Sequence, residues 1–218
     1  MFREPRTKAD DDHHYNLKMK FNFFNRQIKN VNPTVEAVIG TTDYKTNDKD
    51  FKFIFNDTSN SDINCPVISF GDLTKSKLSD TLTIYKKGNP LTKLDLRYYY
   101  SSSSKLEAVK FHRFVAVGLS GFFYLYDLST EIFILFIDFN GYFDEFKIFE
   151  EHLFVAYNSG IYCLTKYGQV KWHNSNVGLD GIIINDIKEG KIYGSEQVDP
   201  PDGWRDFVLN FDTGNRTE

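Results

Sequence analysis

Two stretches of this chain repeat one another at an offset of 39 to 40 residues, and no other feature constrains the fold as strongly. Phe114-Val115-Ala116-Val117-Gly118-Leu119-Ser120-Gly121-Phe122-Phe123-Tyr124-Leu125 aligns with Phe154-Val155-Ala156-Tyr157-Asn158-Ser159-Gly160-Ile161-Tyr162-Cys163-Leu164. A weaker third copy begins at Lys191-Ile192-Tyr193-Gly194-Ser195 and resumes, after an insertion, at Phe207-Val208-Leu209-Asn210-Phe211. Each copy reads as strand, tight turn, strand and second turn. The second turns are Asp127-Leu128-Ser129-Thr130, Thr165-Lys166-Tyr167-Gly168 and Asp212-Thr213-Gly214. A single unit of this kind cannot bury its own apolar faces, so neighbouring units must cover one another.

An all-strand period of about 40 residues is the mark of β-propeller blades. Composition agrees with strands: 21 Phe, 13 Tyr and 2 Trp fit pleated, half-buried surfaces. The half before the repeat also alternates between Gly, Asn, Asp and Pro punctuation. Val35–Ile39, Phe51–Phe55, Pro66–Phe70, Thr81–Tyr85 and Leu94–Tyr98 read as short strands. The expected fold is therefore all-β: an N-terminal set of antiparallel strands continuous with two to three propeller-like blades, a partial or degenerate β-propeller. The rival is a β-sandwich followed by a partial propeller. The division expected is a disordered leader at 1–18, a β region at 19–107 and a repeat region at 108–218. Met19 opens what looks like a natural start, and the serine run Ser101–Ser104 is the best linker candidate.

Leu153 to Trp172 (LFVAYNSGIYCLTKYGQVKW) resembles a blade of the quinoprotein-type, PQQ-like propeller repeat. Gly168 and Trp172 sit where that repeat places its Gly and Trp. The first copy departs, with Thr130-Glu131 and Phe136 instead, and the third reaches Glu218 before any Trp. The resemblance covers residues 108–218 and implies blade packing for Trp172. It does not imply a cofactor, because quinoprotein enzymes hold theirs inside a full ring of blades. A narrower resemblance is carried by Asn140-Gly141-Tyr142-Phe143, Gly178-Leu179-Asp180-Gly181-Ile182 and Asp199-Pro200-Pro201-Asp202-Gly203-Trp204. These occur in this order in a group of bacterial proteins sharing this C-terminal region, and they imply no activity.

Residue chemistry narrows the function classes. Ser120-Gly121 and Ser159-Gly160 lie in repeat turns and form no nucleophile elbow. No phosphate-cradling or dinucleotide fingerprint occurs. His112 and His152 read as matching repeat positions just ahead of the first strand of each copy. Asp138, Asp144, Glu145, Glu150 and Glu151 bracket the first two copies. Paired carboxylates can do acid–base work in a cleft, but a charge run is ordinarily a solvated face. Asp10-Asp11-Asp12-His13-His14 has no ordered ligand spacing, so no metal or other cofactor is expected. No apolar run approaches the ~20 residues of a membrane span. With no secretory h-region and only Cys65 and Cys163, a cytoplasmic protein is expected.

Charge divides the chain. Residues 1–107 hold 17 Lys/Arg and 14 Asp/Glu, net +3, and residues 108–218 hold 9 and 16, net −7. Net −7 repels phosphate, so nucleic acid is not an expected partner. Gly178 to Asp212 concentrates the charge, with eight acids against Lys188, Lys191 and Arg205. Within it, Asp199, Asp202, Trp204, Arg205 and Asp206 are the candidate partner-binding residues, because a Trp among prolines and acids suits an interface anchor for a basic protein. The expected function is a non-catalytic protein-binding module, of the immunity type that neutralises a basic toxin. The alternative is a hydrolase using a carboxylate pair at a blade edge.

Overall fold

The computed structural model describes residues 43–44, 49–58, 65–70, 76–103, 105–198 and 203–217. The leader at 1–18 and the expected strand Val35–Ile39 lie outside the described residues. Among the described residues every regular element is a strand, gathered into four sheets. The all-β expectation holds.

The first sheet contains β1 (Asp43–Tyr44), β2 (Phe51–Phe55), β3 (Val67–Phe70), β4 (Leu78–Lys86) and β5 (Asn89–Tyr98), in the order β1-β2-β4-β5-β3. The second is a meander in chain order: β6 (Leu106–Phe111), β7 (Phe114–Leu119), β8 (Phe122–Asp127) and β9 (Ile132–Asp138). The third repeats it as β10 (Phe143–Phe149), β11 (His152–Tyr157), β12 (Gly160–Thr165) and β13 (Val170–Asn174). The fourth is β14 (Ile182–Lys188), β15 (Lys191–Gln197) and β16 (Trp204–Asn210).

The repeat maps onto this plan. Its strands become β7–β8, β11–β12 and β15–β16, the second and third strands of each sheet. The strand before each pair, β6, β10 and β14, escaped sequence analysis because charged residues interrupt its alternation. Phe143-Asp144-Glu145-Phe146-Lys147-Ile148-Phe149 is such a case, and two of the acids read as a solvated bracket, Asp144 and Glu145, lie on β10. The turns joining first to second strands are equivalent. His112, Glu150 and Glu189 adopt φ of 50°, 51° and 51°, the left-handed conformation that two-residue hairpins require. This corrects the pairing of the histidines: His112 matches Glu150, at an offset of 38, while His152 is the first residue of β11.

Successive side chains along a strand point to opposite faces, and the sheets stack through those faces in chain order. Phe53, Leu82, Ile84, Leu94 and Leu96 of the first sheet meet Val115, Val117, Phe122, Tyr124 and Tyr126 of the second. The opposite faces of β7 and β8, carrying Phe114, Ala116, Phe123 and Leu125, meet Phe143, Leu153, Val155 and Leu164 of the third. Phe154, Ala156, Cys163 and Trp172 in turn meet Ile182, Ile184, Ile192 and Phe207 of the fourth. Phe114 and Phe154 are each fully buried against the next sheet along, but the 38-residue offset makes Ala116, not Phe114, the counterpart of Phe154. Burial of each such ring stabilises the stack by about 1.5–3 kcal/mol. The approach is close: a Cβ on Gly118 would lie 2.6 Å from the Phe143 ring.

Ser101–Ser103 dock on the second sheet, with the Ser102 N–H donating to Ser120 Oγ at 2.7 Å. Trp172 packs between the third and fourth sheets. Its indole N–H donates to the Phe211 carbonyl at 2.9 Å, and its ring covers Gly214 so closely that a Cβ there would come within 2.4 Å.

Candidate partner-binding face

Among the described residues, the fourth sheet is covered on one face only. On β14 and β15, Ile182, Ile184, Ile192, Gly194 and Glu196 are buried, and Ile183, Asn185, Tyr193, Ser195 and Gln197 alternate with them on the other side. Pairing extends both faces onto β16, where Gln197 lies opposite Trp204, Ser195 opposite Asp206 and Glu196 opposite Arg205.

Trp204 and Asp206 therefore share the open face. Trp204 is 51% exposed. Its ring lies over Gly181, whose Cβ position is 3.4 Å from the indole edge and whose φ of 138° suits glycine alone. Beside it, Asn185 Nδ2 donates to Ser195 Oγ at 2.9 Å, and that hydroxyl donates to Asp206 Oδ1 at 3.0 Å. The chain fixes the Asp206 carboxylate while leaving it in solvent. Ile183, 42% exposed, completes an apolar margin next to this acid.

Arg205 points the other way. Its Nε and Nη2 donate to Glu196 Oε1 at 2.9 and 2.6 Å, and Arg216 Nη2 reaches Glu196 Oε2 at 2.6 Å. Glu196 is 3% exposed, so these two guanidinium groups hold a carboxylate taken out of water. Arg216 also donates to the Val177 carbonyl and lies over the Phe207 ring. It is carried on a short segment that adds to β16, with Leu209 bridged to Arg216 and the Thr217 N–H donating to the Val208 carbonyl. Of the five candidates, then, Trp204 and Asp206 lie together, Arg205 serves Glu196, and Asp199 and Asp202 lie outside the described residues. Glu196 was missed as a site residue, although its period-two place beside Ile192 and Gly194 on the covered face is visible in the sequence.

Of the bracketing acids, Asp138, Asp144, Glu145 and Glu151 have structural partners. Asp144 and Glu145 accept the N–H groups of Ile182 at 3.0 Å and Ile184 at 2.5 Å, tying the third sheet to the fourth. Burial lifts Asp144 from 3.8 to about 6, against the Ile182 N–H and Lys105; Glu145 and Asp180 add to the rise. Burial likewise raises Glu107 on the neighbouring β6. Asp138 accepts both the Tyr99 and Tyr100 hydroxyls, and Glu151 pairs with Lys166 at 2.8 Å. Burial pushes the Cys163 thiol up to about 12, leaving it unreactive. Among the described residues, no group of three or more potential metal ligands converges.

No protein-family model and no curated protein matches the chain. Solved structures do show similarity. BamB from Moraxella catarrhalis is 12% identical with a TM-score of 0.42, over 72% of this chain and 48% of its own. The AfRom2 CNH domain is 10% identical with a TM-score of 0.45, over 91% and 60%. Hsv2p from Kluyveromyces lactis is 9% identical with a TM-score of 0.37, over 82% and 62%. The chain thus spans from about half to just under two thirds of the length of these structures.

Proposed function

We propose that this chain is a non-catalytic protein-binding module that engages a basic partner through the open face of its fourth sheet. The observation that carries the reading is Trp204, half-exposed beside the fixed carboxylate of Asp206 on a face that no other described sheet covers. Exposed aromatic anchors beside charge are the residues that dominate protein interfaces. The net −7 of residues 108–218 would speed encounter with a basic surface. In its finer form the reading makes residues 108–218 quinoprotein-type blades, used without a cofactor by a cytoplasmic bacterial protein of the immunity type that neutralises a basic toxin. The hydrolase alternative has against it that Asp144 and Glu145 already bind backbone N–H groups of β14.

Affinity capture from the native host, followed by binding kinetics at graded salt, tests the reading. Association should slow as salt rises, because exposed charges are screened within ~8 Å at physiological ionic strength. Asp206→Asn should chiefly lower the association rate, and Trp204→Ala should chiefly raise the dissociation rate. A captured partner whose binding ignores both substitutions would overturn the proposal.

A further inference from the structure

Trp204 and Asp206 carry groups on the open face of the fourth sheet that the chain itself leaves unused. The indole of Trp204 starts on β16, reaches across Gln197 of β15 and ends over Gly181, so it lies along the sheet with one ring face turned to solvent. Among the described residues its N–H donates to nothing, whereas the indole N–H of Trp172 donates to the Phe211 carbonyl. No cation of the described chain stands over its ring either. Other surface rings do carry one. Lys166 Nζ lies 5.4 Å from the centre of the Tyr167 ring, and Lys188 Nζ lies 5.3 Å from that of Tyr193, on the same open face as Trp204. Tryptophan offers a cation the strongest ring of all.

Asp206 is left open in the same way. The Asn185–Ser195 chain anchors its carboxylate through Oδ1, and Oδ2 has no partner among the described residues. Two positions apart on one strand, Trp204 and Asp206 stand about 7 Å from each other on the same face. The cation between them in sequence, Arg205, is committed to Glu196 on the covered side. An acceptor and a bare ring thus lie side by side without a cation of their own.

We propose that this pair receives an arginine side chain of the basic partner, the guanidinium stacked on the outer face of Trp204 and its N–H edge on Asp206 Oδ2. The inference rests on the reading of this face as the partner-binding surface and adds what is recognised there. A guanidinium suits the pair better than an ammonium. It is planar and weakly hydrated, so it stacks on a ring while its edge N–H groups reach a carboxylate. An ammonium is a strongly hydrated point charge that gains nothing from the plane of the ring. Ile183, opposite Ser195 and in the same row as Asp206, gives the methylene stem an apolar surface to lie on.

Fluorescence anisotropy with labelled hexa-arginine and hexa-lysine peptides, equal in charge, tests the proposal on the full chain at low salt. The arginine peptide should bind about five-fold more tightly than the lysine peptide. Trp204→Leu keeps the position apolar but removes the ring face, and should abolish that preference with unchanged circular dichroism. Asp206→Asn keeps an acceptor for Ser195 and removes the charge, and should weaken the arginine peptide about ten-fold. Asp212→Asn, which removes the same charge from the turn paired with Lys171, should leave the preference for arginine unchanged. Equal affinity for the two peptides, or no binding of either, would overturn the proposal. So would an arginine preference that survives Trp204→Leu. A captured partner that depends on Trp204 and Asp206 yet tolerates lysine in place of its arginines would overturn this proposal and leave the proposed function standing.

Discussion

The second and fourth sheets carry versions of one repeat, yet their strands are written differently. In β7 and β8 every residue is buried, because the first sheet covers one face and the third covers the other. In β15 buried and half-exposed residues alternate, because among the described residues only the third sheet covers it. Covering both faces of a strand removes the polar positions that an open face keeps. The difference teaches where each sheet stands among the described residues: the second is covered on both faces, and the fourth on one, its other face polar. The sole acid that enters the covered side of the fourth sheet, Glu196, does so between two guanidinium groups.

The sharpest way to break the comparison is to truncate one residue on the covered face and one on the open face. Phe154→Ala, in the fully packed interface between the third and fourth sheets, should cost about 3–5 kcal/mol in chemical denaturation. Ile183→Ala on the open face should stay within about 0.5 kcal/mol. Comparable losses would mean that both faces of the fourth sheet are packed.

The next effect concerns Glu196. Replacing Arg205 and Arg216 together by Ala strands a buried carboxylate and should destabilise by about 3 kcal/mol. Adding Glu196→Gln to that double variant should recover most of the loss, since the charge is then gone. Absence of recovery would show that the arginines act through packing alone.

Asp144 provides a smaller, pH-dependent effect. Its folded pKa of about 6 lies above its ordinary 3.8, so between those values the folded chain holds a proton that the unfolded chain has released. Stability from this group is present at low pH and falls as pH rises through that window. Asp144→Asn keeps an acceptor for the Ile182 N–H and removes the titration. Denaturation midpoints of the variant should vary less with pH across the window and match or exceed wild type at neutral pH. A steeper profile would contradict the assignment.

Least of all in stability, Trp204→Ala should change the melting behaviour by about 0.5 kcal/mol or less, while weakening a captured partner by about 2 kcal/mol or more if Trp204 anchors the interface. A large stability loss with unchanged binding would make Trp204 a packing residue.

Much of this was legible in the sequence, and the limits have physical reasons. The hairpins at Phe114–Leu125 and Phe154–Leu164 could be read because both of their faces are buried and their turns repeat. The strand β10 could not, because Asp144 and Glu145 break its apolar pattern to reach the N–H groups of β14, contacts fixed only by the stacking of two sheets. Trp204 and Asp206 were found by composition. Their separation from Arg205 follows from strand alternation, which becomes readable once the register with β15 is known.

Hydrogen exchange followed by mass spectrometry tests most directly the claim that the second and third sheets are covered on both faces and the fourth on one. Peptides covering β7–β8 and β11–β12 should exchange only through global unfolding, with opening free energies equal to the full stability. A peptide covering Trp204–Phe207 should exchange through smaller openings and much faster. Protection of that β16 peptide equal to that of β7–β8 would contradict an open face on the fourth sheet, and with it the surface proposed for the partner.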